Sequence, residues 1–172
     1  WRAVGRAHHK SARAGLVDLP ENVQCMIRMD EAGCTMVWKH FFEDAPVPHA
    51  IELIKDHDIH TLRYDETKSF IAYLMSVPMT FPEWDAVLAM ETSEVARMGV
   101  PLLRQRRVYI RRIIEGCSQR MTIAGFDVPV AAAPTFLAGN VCTALCTGEP
   151  FAASYQDTAN GRIFSLRSDA NV

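Results

Sequence analysis

Between Thr92 and about Glu115 the chain carries one long helical pattern, and the sequence on its two sides reads differently. Before it, apolar residues recur mostly at helical spacing, as with Phe70, Ile71 and Leu74 between Glu66 and Ser76. Val23–Ile27 is the short strand there, and Asp30 reads as the N-cap of a helix through Gly33 and Trp38 to Phe42. Pro46 and Pro48 end that helix, and His40 and His49 read as structural or exposed. Thr80-Phe81-Pro82 starts another, with Pro82 suited to a first turn. After the long helix come short runs broken by turn residues. Arg120–Ala124 and Val128–Ala131 read as strands about a turn at Gly125–Asp127, followed by a helix from Phe136 to Cys146. Phe151–Tyr155 and Arg162–Arg167 are joined by Thr158-Ala159-Asn160-Gly161, in which Asn-Gly is the strongest hairpin signal in the chain. A connector helix between unlike halves predicts two small α/β lobes.

Inside the connector, Pro101 predicts a kink or break and Gly116 the end. Its second half carries Arg104, Arg106, Arg107, Arg111 and Arg112, spread around the helix, with Val108, Ile110, Ile113 and Ile114 left for packing. This reads first as a solvated linker and second as a polyanion-facing helix.

The composition suits a folded core. The chain has 172 residues, 49% of them hydrophobic and 22% charged, enough for one domain or two small ones. A formal net charge of -2 argues against a generally basic nucleic-acid coat protein. Five cysteines without a Cys-x-x-Cys pair fit a reducing compartment, with Cys142 and Cys146 as small core residues on one helix face. The longest apolar stretch, Val128 to Val141, is broken by Pro129 and Pro134, so no membrane span is expected, nor is a signal peptide seen. The start at Trp1 and the polar end suggest a piece of a longer protein.

The densest chemistry lies in Asp56-His57-Asp58-Ile59-His60, two carboxylates and two imidazoles in five residues. Asp and His suit Mn, Mg, Fe or Zn. A helix would put Asp56 with His60, and His57 with His60, on one face; a strand would align Asp56, Asp58 and His60. Ile51, Leu53 and Ile54 read as the end of a helix, which places Asp56 at a helix-to-loop junction. A solvated helix end is the competing reading. Near the start, Ala7-His8-His9-Lys10 could offer one histidine to a metal and the other to a phosphate.

Taken in order, these segments resemble a family: Ala7-His8-His9-Lys10-Ser11-Ala12, Gly33 leading a helix with Trp38, Lys55-Asp56-His57-Asp58 with Arg63-Tyr64, Thr80-Phe-Pro-Glu-Trp84-Asp85, Gly125-Phe-Asp-Val-Pro-Val130, Gly148-Glu-Pro-Phe-Ala-Ala153 and Arg162-Ile-Phe-Ser-Leu-Arg-Ser168. The series, covering almost the whole chain, is similar to the DHH phosphoesterase superfamily, in the branch with a catalytic DHH domain, a helical connector and a smaller DHH-associated domain. The resemblance implies an α/β fold: the C-terminal part of a parallel-sheet DHH domain over 1–90, a connector helix over 91–117, and a smaller α/β domain over 118–172. It implies a metal-dependent phosphoesterase with a Mn²⁺ (or Mg²⁺) pair, acting on phosphodiester or phosphomonoester bonds of short oligonucleotides or nucleotides. His8 would be a metal ligand, His9 would face the phosphate, Asp56 would be the later carboxylate ligand with Asp58 the alternative, and Arg167 would be a substrate-side cation. His8 and Asp56 should then approach within about 5 Å, since metal–ligand bonds are roughly 2.0–2.2 Å. The implied setting is the cytoplasm or an organelle matrix, as a homodimer or part of a protein complex.

Three departures define an alternative. The first Asp of the Asp-His-His motif stands as Ala7. The family's upstream aspartates, of His-x-x-x-Asp-x-Asp type, and its Gly-Gly-Gly-His loop are not in this stretch of sequence. The alternative is a catalytically degenerate DHH-fold protein serving as a structural or binding subunit.

Overall fold

A computed structural model describes residues 3–7 and 20–168. Among the described residues the chain is mixed α/β. It divides into two compact units, Trp1–Leu103 and Arg104–Val172. The division falls inside the long helix.

In the first unit, β1 (Ala3–Ala7) and β2 (Val23–Ile27) pair in parallel, with Ala3 opposite Val23 and Ala7 opposite Ile27. Helices α1 (Gly33–Phe41), α2 (His49–Asp58), α3 (Thr67–Leu74) and α4 (Phe81–Leu88) follow. Asp30 does not cap α1. Ala32 holds the N-cap position without a side-chain bond, and Thr35 returns its own hydroxyl to the Ala32 carbonyl at 2.9 Å. Thr80 precedes α4 and Pro82 lies in its first turn, where a missing amide costs nothing. The core joins Leu53 of α2, Phe70, Ile71 and Leu74 of α3, Val87 of α4 and Val95 of the next helix.

That helix, α5, runs unbroken from Thr92 to Cys117. Pro101 does not interrupt it, although the carbonyl of Arg97 loses its amide partner there. Gly116 does not end it either; the chain passes directly into β3 at Ser118. A close approach fixes α5 on α3. A Cβ built on Gly99 would lie 1.7 Å from the Ser69 carbonyl oxygen, so only glycine permits this packing.

The second unit is a four-stranded sheet in the order β3 (Ser118–Ile123), β4 (Phe126–Ala132), β5 (Ala152–Thr158), β6 (Gly161–Arg167), with α6 (Thr135–Leu145) between β4 and β5. The outer pairs are antiparallel and β4–β5 is parallel. The β4–α6–β5 crossover makes that parallel pair possible. Strand alternation sorts the two faces. Ala131 and Ala133 pack with Leu137 and Val141 of α6 and with Ile110, Ile113 and Ile114 of α5. On the other face Val128, Val130 and Ala153 pack with Met121, Ile123, Phe151 and Tyr155.

Both hairpins form, each one residue away from its expected turn. β3 and β4 turn at Ala124-Gly125, with φ of 50° and 85°, rather than at Gly125–Asp127. Left-handed values at both central residues match the right-handed strand twist. β5 and β6 close at Thr158 opposite Gly161, so Ala159 and Asn160 are the loop and Gly161 carries the positive φ of 122°. Cys142 and Cys146 are buried, as expected of small core residues. Among the described residues no helix is long and apolar enough to cross a membrane.

Candidate functional site

The Asp56 segment is a helix end closed by a side chain. α2 stops at Asp58, and the Ile59 amide returns to the Lys55 carbonyl at 3.0 Å. The backbone then takes left-handed values at His60 (φ 56°) and Leu62 (φ 47°). Each costs about 1–2 kcal/mol for a residue with a Cβ, so something must hold them. Asp56 does. Its Oδ1 accepts the Thr61 hydroxyl at 2.6 Å and the Arg63 amide at 2.8 Å. Its Oδ2 accepts the Tyr64 amide at 3.3 Å and the Thr67 hydroxyl at 2.5 Å. The Asp56 carbonyl also accepts the Leu62 amide at 3.3 Å.

Electrostatics make this arrangement demanding. Asp56 is 3% exposed and sits in the last turn of α2, where the helix dipole disfavours an anion. Burial would raise its carboxyl. The hydroxyls of Thr61 and Thr67 and the amides of Arg63 and Tyr64 outweigh burial and hold it at about 2. A carboxylate has about four lone-pair sites, and four donors fill them.

A second buried carboxylate braces the same helix. Glu31 accepts the Thr35 hydroxyl at 2.7 Å, Lys55 at 3.1 Å and Lys39. Burial again acts upward on its carboxyl, and bonds from Lys39, Thr35 and Lys55 bring it to about 2. On the far side, His49 meets Glu66 at 2.8 Å and stacks edge-on against Tyr64, with ring centroids 5.0 Å apart. An open cleft here is lined among others by Asp30, Glu52, Lys55, Asp56, Arg63 and Tyr64.

His8 and His9 lie outside the described residues, and with them the expected approach of His8 to Asp56. Asp56 stands at the helix-to-loop junction. Asp58 is exposed at the helix end, and its charge, with that of Glu52, adds to burial in pushing the Cys34 thiol up. Asp56 and His60 do not share a helix face, and Asp56, Asp58 and His60 do not share a strand face, because the helix ends between them and His60 turns left-handed. His57 and His60 remain neighbours, with ring centroids 6.2 Å apart. Among the described residues no group of three or more His, Cys, Asp and Glu side chains is placed to hold a metal ion. Asp56 as it stands does not fit a metal pair either, since four donors occupy its oxygens.

Arg167 ends β6 on the exposed surface of the second unit, its guanidinium 3.5 Å from where a Cβ on Gly139 of α6 would be. It makes no ion pair or hydrogen bond among the described residues. Thr61, Thr67 and Glu31 escaped the sequence reading. Thr67 is eleven residues from Asp56 and Glu31 is twenty-five before it, separations that no periodicity marks.

No protein-family model matches the chain, and no solved structure matches it. It is similar to the uncharacterized protein R106 of Acanthamoeba polyphaga mimivirus, 28% identical over 112 residues. That match covers 64% of this chain and 26% of the viral protein, so the chain spans about a quarter of that relative's length.

Proposed function

We propose that the chain is a DHH-like module that binds a phosphate-bearing nucleotide or short oligonucleotide without hydrolysing it, as the binding or structural part of a larger assembly. One observation carries this reading: the Asp56 carboxylate, expected as a metal ligand, is filled by Thr61, Arg63 and Tyr64 of the loop that follows it and by Thr67 of α3. Ala7 in place of the motif aspartate points the same way. That aspartate would orient the adjacent ligand, and such outer-shell partners are commonly worth roughly 10–100-fold in metal affinity. The guanidinium of Arg167, which makes no ion pair or hydrogen bond among the described residues, would offer a planar fork to a phosphate.

The reading as a Mn²⁺- or Mg²⁺-dependent phosphoesterase keeps one specific observation. Asp56 is ionised at neutral pH and lines the cleft beside Asp30 and Glu52. Were a metal pair bound, it would activate water and neutralise charge on the phosphoryl oxygens. His8, His9 and Asp56, with Asp58 as the alternative carboxylate, would be the residues at stake.

The deciding experiment measures release of mononucleotide or phosphate from a dinucleotide and a nucleotide bisphosphate, with Mn²⁺ titrated. The full-length protein and its Ala7→Asp variant are compared. The binding reading expects no Mn²⁺-dependent turnover from the native sequence. Turnover that His8→Ala and Asp56→Ala abolish would establish the enzyme instead.

A further inference from the structure

β6 closes one side of the sheet in the second unit, and among the described residues it pairs with β5 alone. One row of its backbone amides and carbonyls therefore points away from the sheet. The hydrogen bonds say which residues form that row. The Tyr155 carbonyl accepts the Ala133 amide at 2.9 Å, on the β4 side. The backbone of Tyr155 thus turns toward β4, and Phe164, directly opposite it on β6, turns its own amide and carbonyl outward. Alternation adds Arg162 and Leu166 to the outward row and leaves Ile163 and Ser165 bonded to β5.

The side chains along this edge are apolar on both faces. Phe164 and Leu166 are 42% and 52% exposed on one face, and Ile163 is 49% exposed on the other. Edge strands usually carry a charge, a proline or a bulge that keeps other strands off. β6 has no proline and its register with β5 is unbroken. Its two cations stand near its ends, and Arg162 is already bonded to Asp157 at 2.7 Å.

The other edge, β3, has the usual protection. Pro129 of β4 has no amide to give, so Arg120 opposite it turns its backbone outward, with Ser118 and Thr122 in the same row. Antiparallel pairing of two β3 strands through that row would set the two copies of Arg120 directly opposite each other, and like charges so placed destabilise a sheet. The same operation on β6 is free of this conflict. Pairing through Arg162, Phe164 and Leu166 puts Phe164 on the two-fold axis, opposite its own copy. Arg162 then meets Leu166, Ile163 meets Ser165, and Arg167 meets Gly161, so no charge faces a like charge. Each outward residue exchanges both of its backbone bonds. Phe164 already lies beside Tyr155, with ring centroids 6.0 Å apart, so two aromatic pairs would join at the axis. A strand that is complementary to itself in charge and register selects a second copy of the chain as its partner.

We propose that β6 is a self-pairing edge: two copies of the chain join β6 to β6, antiparallel about Phe164, and merge their sheets into one. The proposal stands on strand geometry and holds whether or not the chain binds a phosphate.

The test is sedimentation velocity of the full-length protein over a wide concentration range, with amide hydrogen exchange read residue by residue. Phe164→Lys sets two ammonium groups opposite each other at the axis. Phe164→Tyr keeps the aromatic pair. Thr122→Lys adds the same charge at an exposed position of the β3 edge. Circular dichroism confirms the fold of each variant. The native chain is expected to dimerise. Phe164→Lys should weaken the dimer by about tenfold or more, whereas Phe164→Tyr and Thr122→Lys should leave it within about twofold of native. Exchange gives a second reading that needs no variant. The amides of Arg162, Phe164 and Leu166 should gain protection as concentration rises, while those of Ile163 and Ser165 stay protected throughout. The proposal is overturned if the native chain is monomeric across the range, or if the dimer is unchanged by Phe164→Lys. It is also overturned if the three outward amides are equally protected at every concentration, which would mean that another segment of the same chain covers the edge.

Discussion

Thr67, at the first turn of α3, donates its hydroxyl to the Asp56 carboxylate at the last turn of α2, 2.5 Å away. Both side chains are buried, Thr67 completely. The bond therefore joins two helices and fixes the loop between them.

Thr67→Val keeps the shape and deletes the donor. A buried bond to a charged group contributes about 1.5–3 kcal/mol, and denaturant unfolding should show a loss of that size. Thr61→Val removes an equally short bond at 2.6 Å, but Thr61 is exposed and water can replace its hydroxyl. Its loss should be under about 1 kcal/mol. Equal losses from the two would contradict the burial argument.

Two carboxylates set the acid limit. Asp56 and Glu31 both titrate at about 2 in the folded chain, below their ordinary values of 3.8 and 4.5. A depressed folded pKa means that the unfolded chain takes up protons first, so stability is full above the unfolded values and falls as pH drops through the folded ones. Thermal midpoints should hold from neutrality to about pH 5 and fall steeply between about pH 4.5 and 2. Glu31→Gln should flatten part of that slope; an unchanged slope would remove Glu31 from the account.

Gly99→Ala should destabilise despite the better helix propensity of alanine. The added Cβ meets backbone, the Ser69 carbonyl oxygen at 1.7 Å, and the helices must separate. A cost of about 3 kcal/mol is expected, against a propensity gain of about 1. A raised melting temperature would show that α3 and α5 do not pack this closely.

Much of this architecture was legible because its causes are local. Val23–Ile27 read as a strand and is one. Pro82 marked the first turn of α4. Alternation beside Asn160-Gly161 gave the β5–β6 hairpin, though Gly161 supplies the left-handed residue next to the loop, not within it. What was not legible is long-range. Gly116 stays helical because Ile113 and Ile114 are packed on the sheet, so tertiary packing overrides a stop signal. The Asp56 clamp depends on two threonines five and eleven residues on, and on backbone amides presented only once His60 and Leu62 have turned left-handed. Composition and spacing marked Asp56 as chemically unusual without saying what would fill its oxygens.

Ala124 points to a substitution that should stabilise. It holds φ of 50° at an exposed turn, a conformation costing about 1–2 kcal/mol with a Cβ. Ala124→Gly should gain about 1 kcal/mol or less, after the extra freedom of glycine in the unfolded chain is counted. A loss on calorimetry would show that the β3–β4 turn is not of this type.

The central claim is that Asp56 clamps its loop and does not serve a metal. Thermal unfolding of the native chain and of Asp56→Asn, each with EDTA and with excess Mn²⁺, tests it most directly. Asparagine keeps the shape but faces two of the four donors with an NH₂ group. The account expects the metal-free variant to be less stable by about 3 kcal/mol, and no Mn²⁺-dependent rise in the midpoint of either protein. The contrary result is a metal-free variant as stable as the native chain, together with a Mn²⁺-induced rise in the native midpoint that Asp56→Asn abolishes.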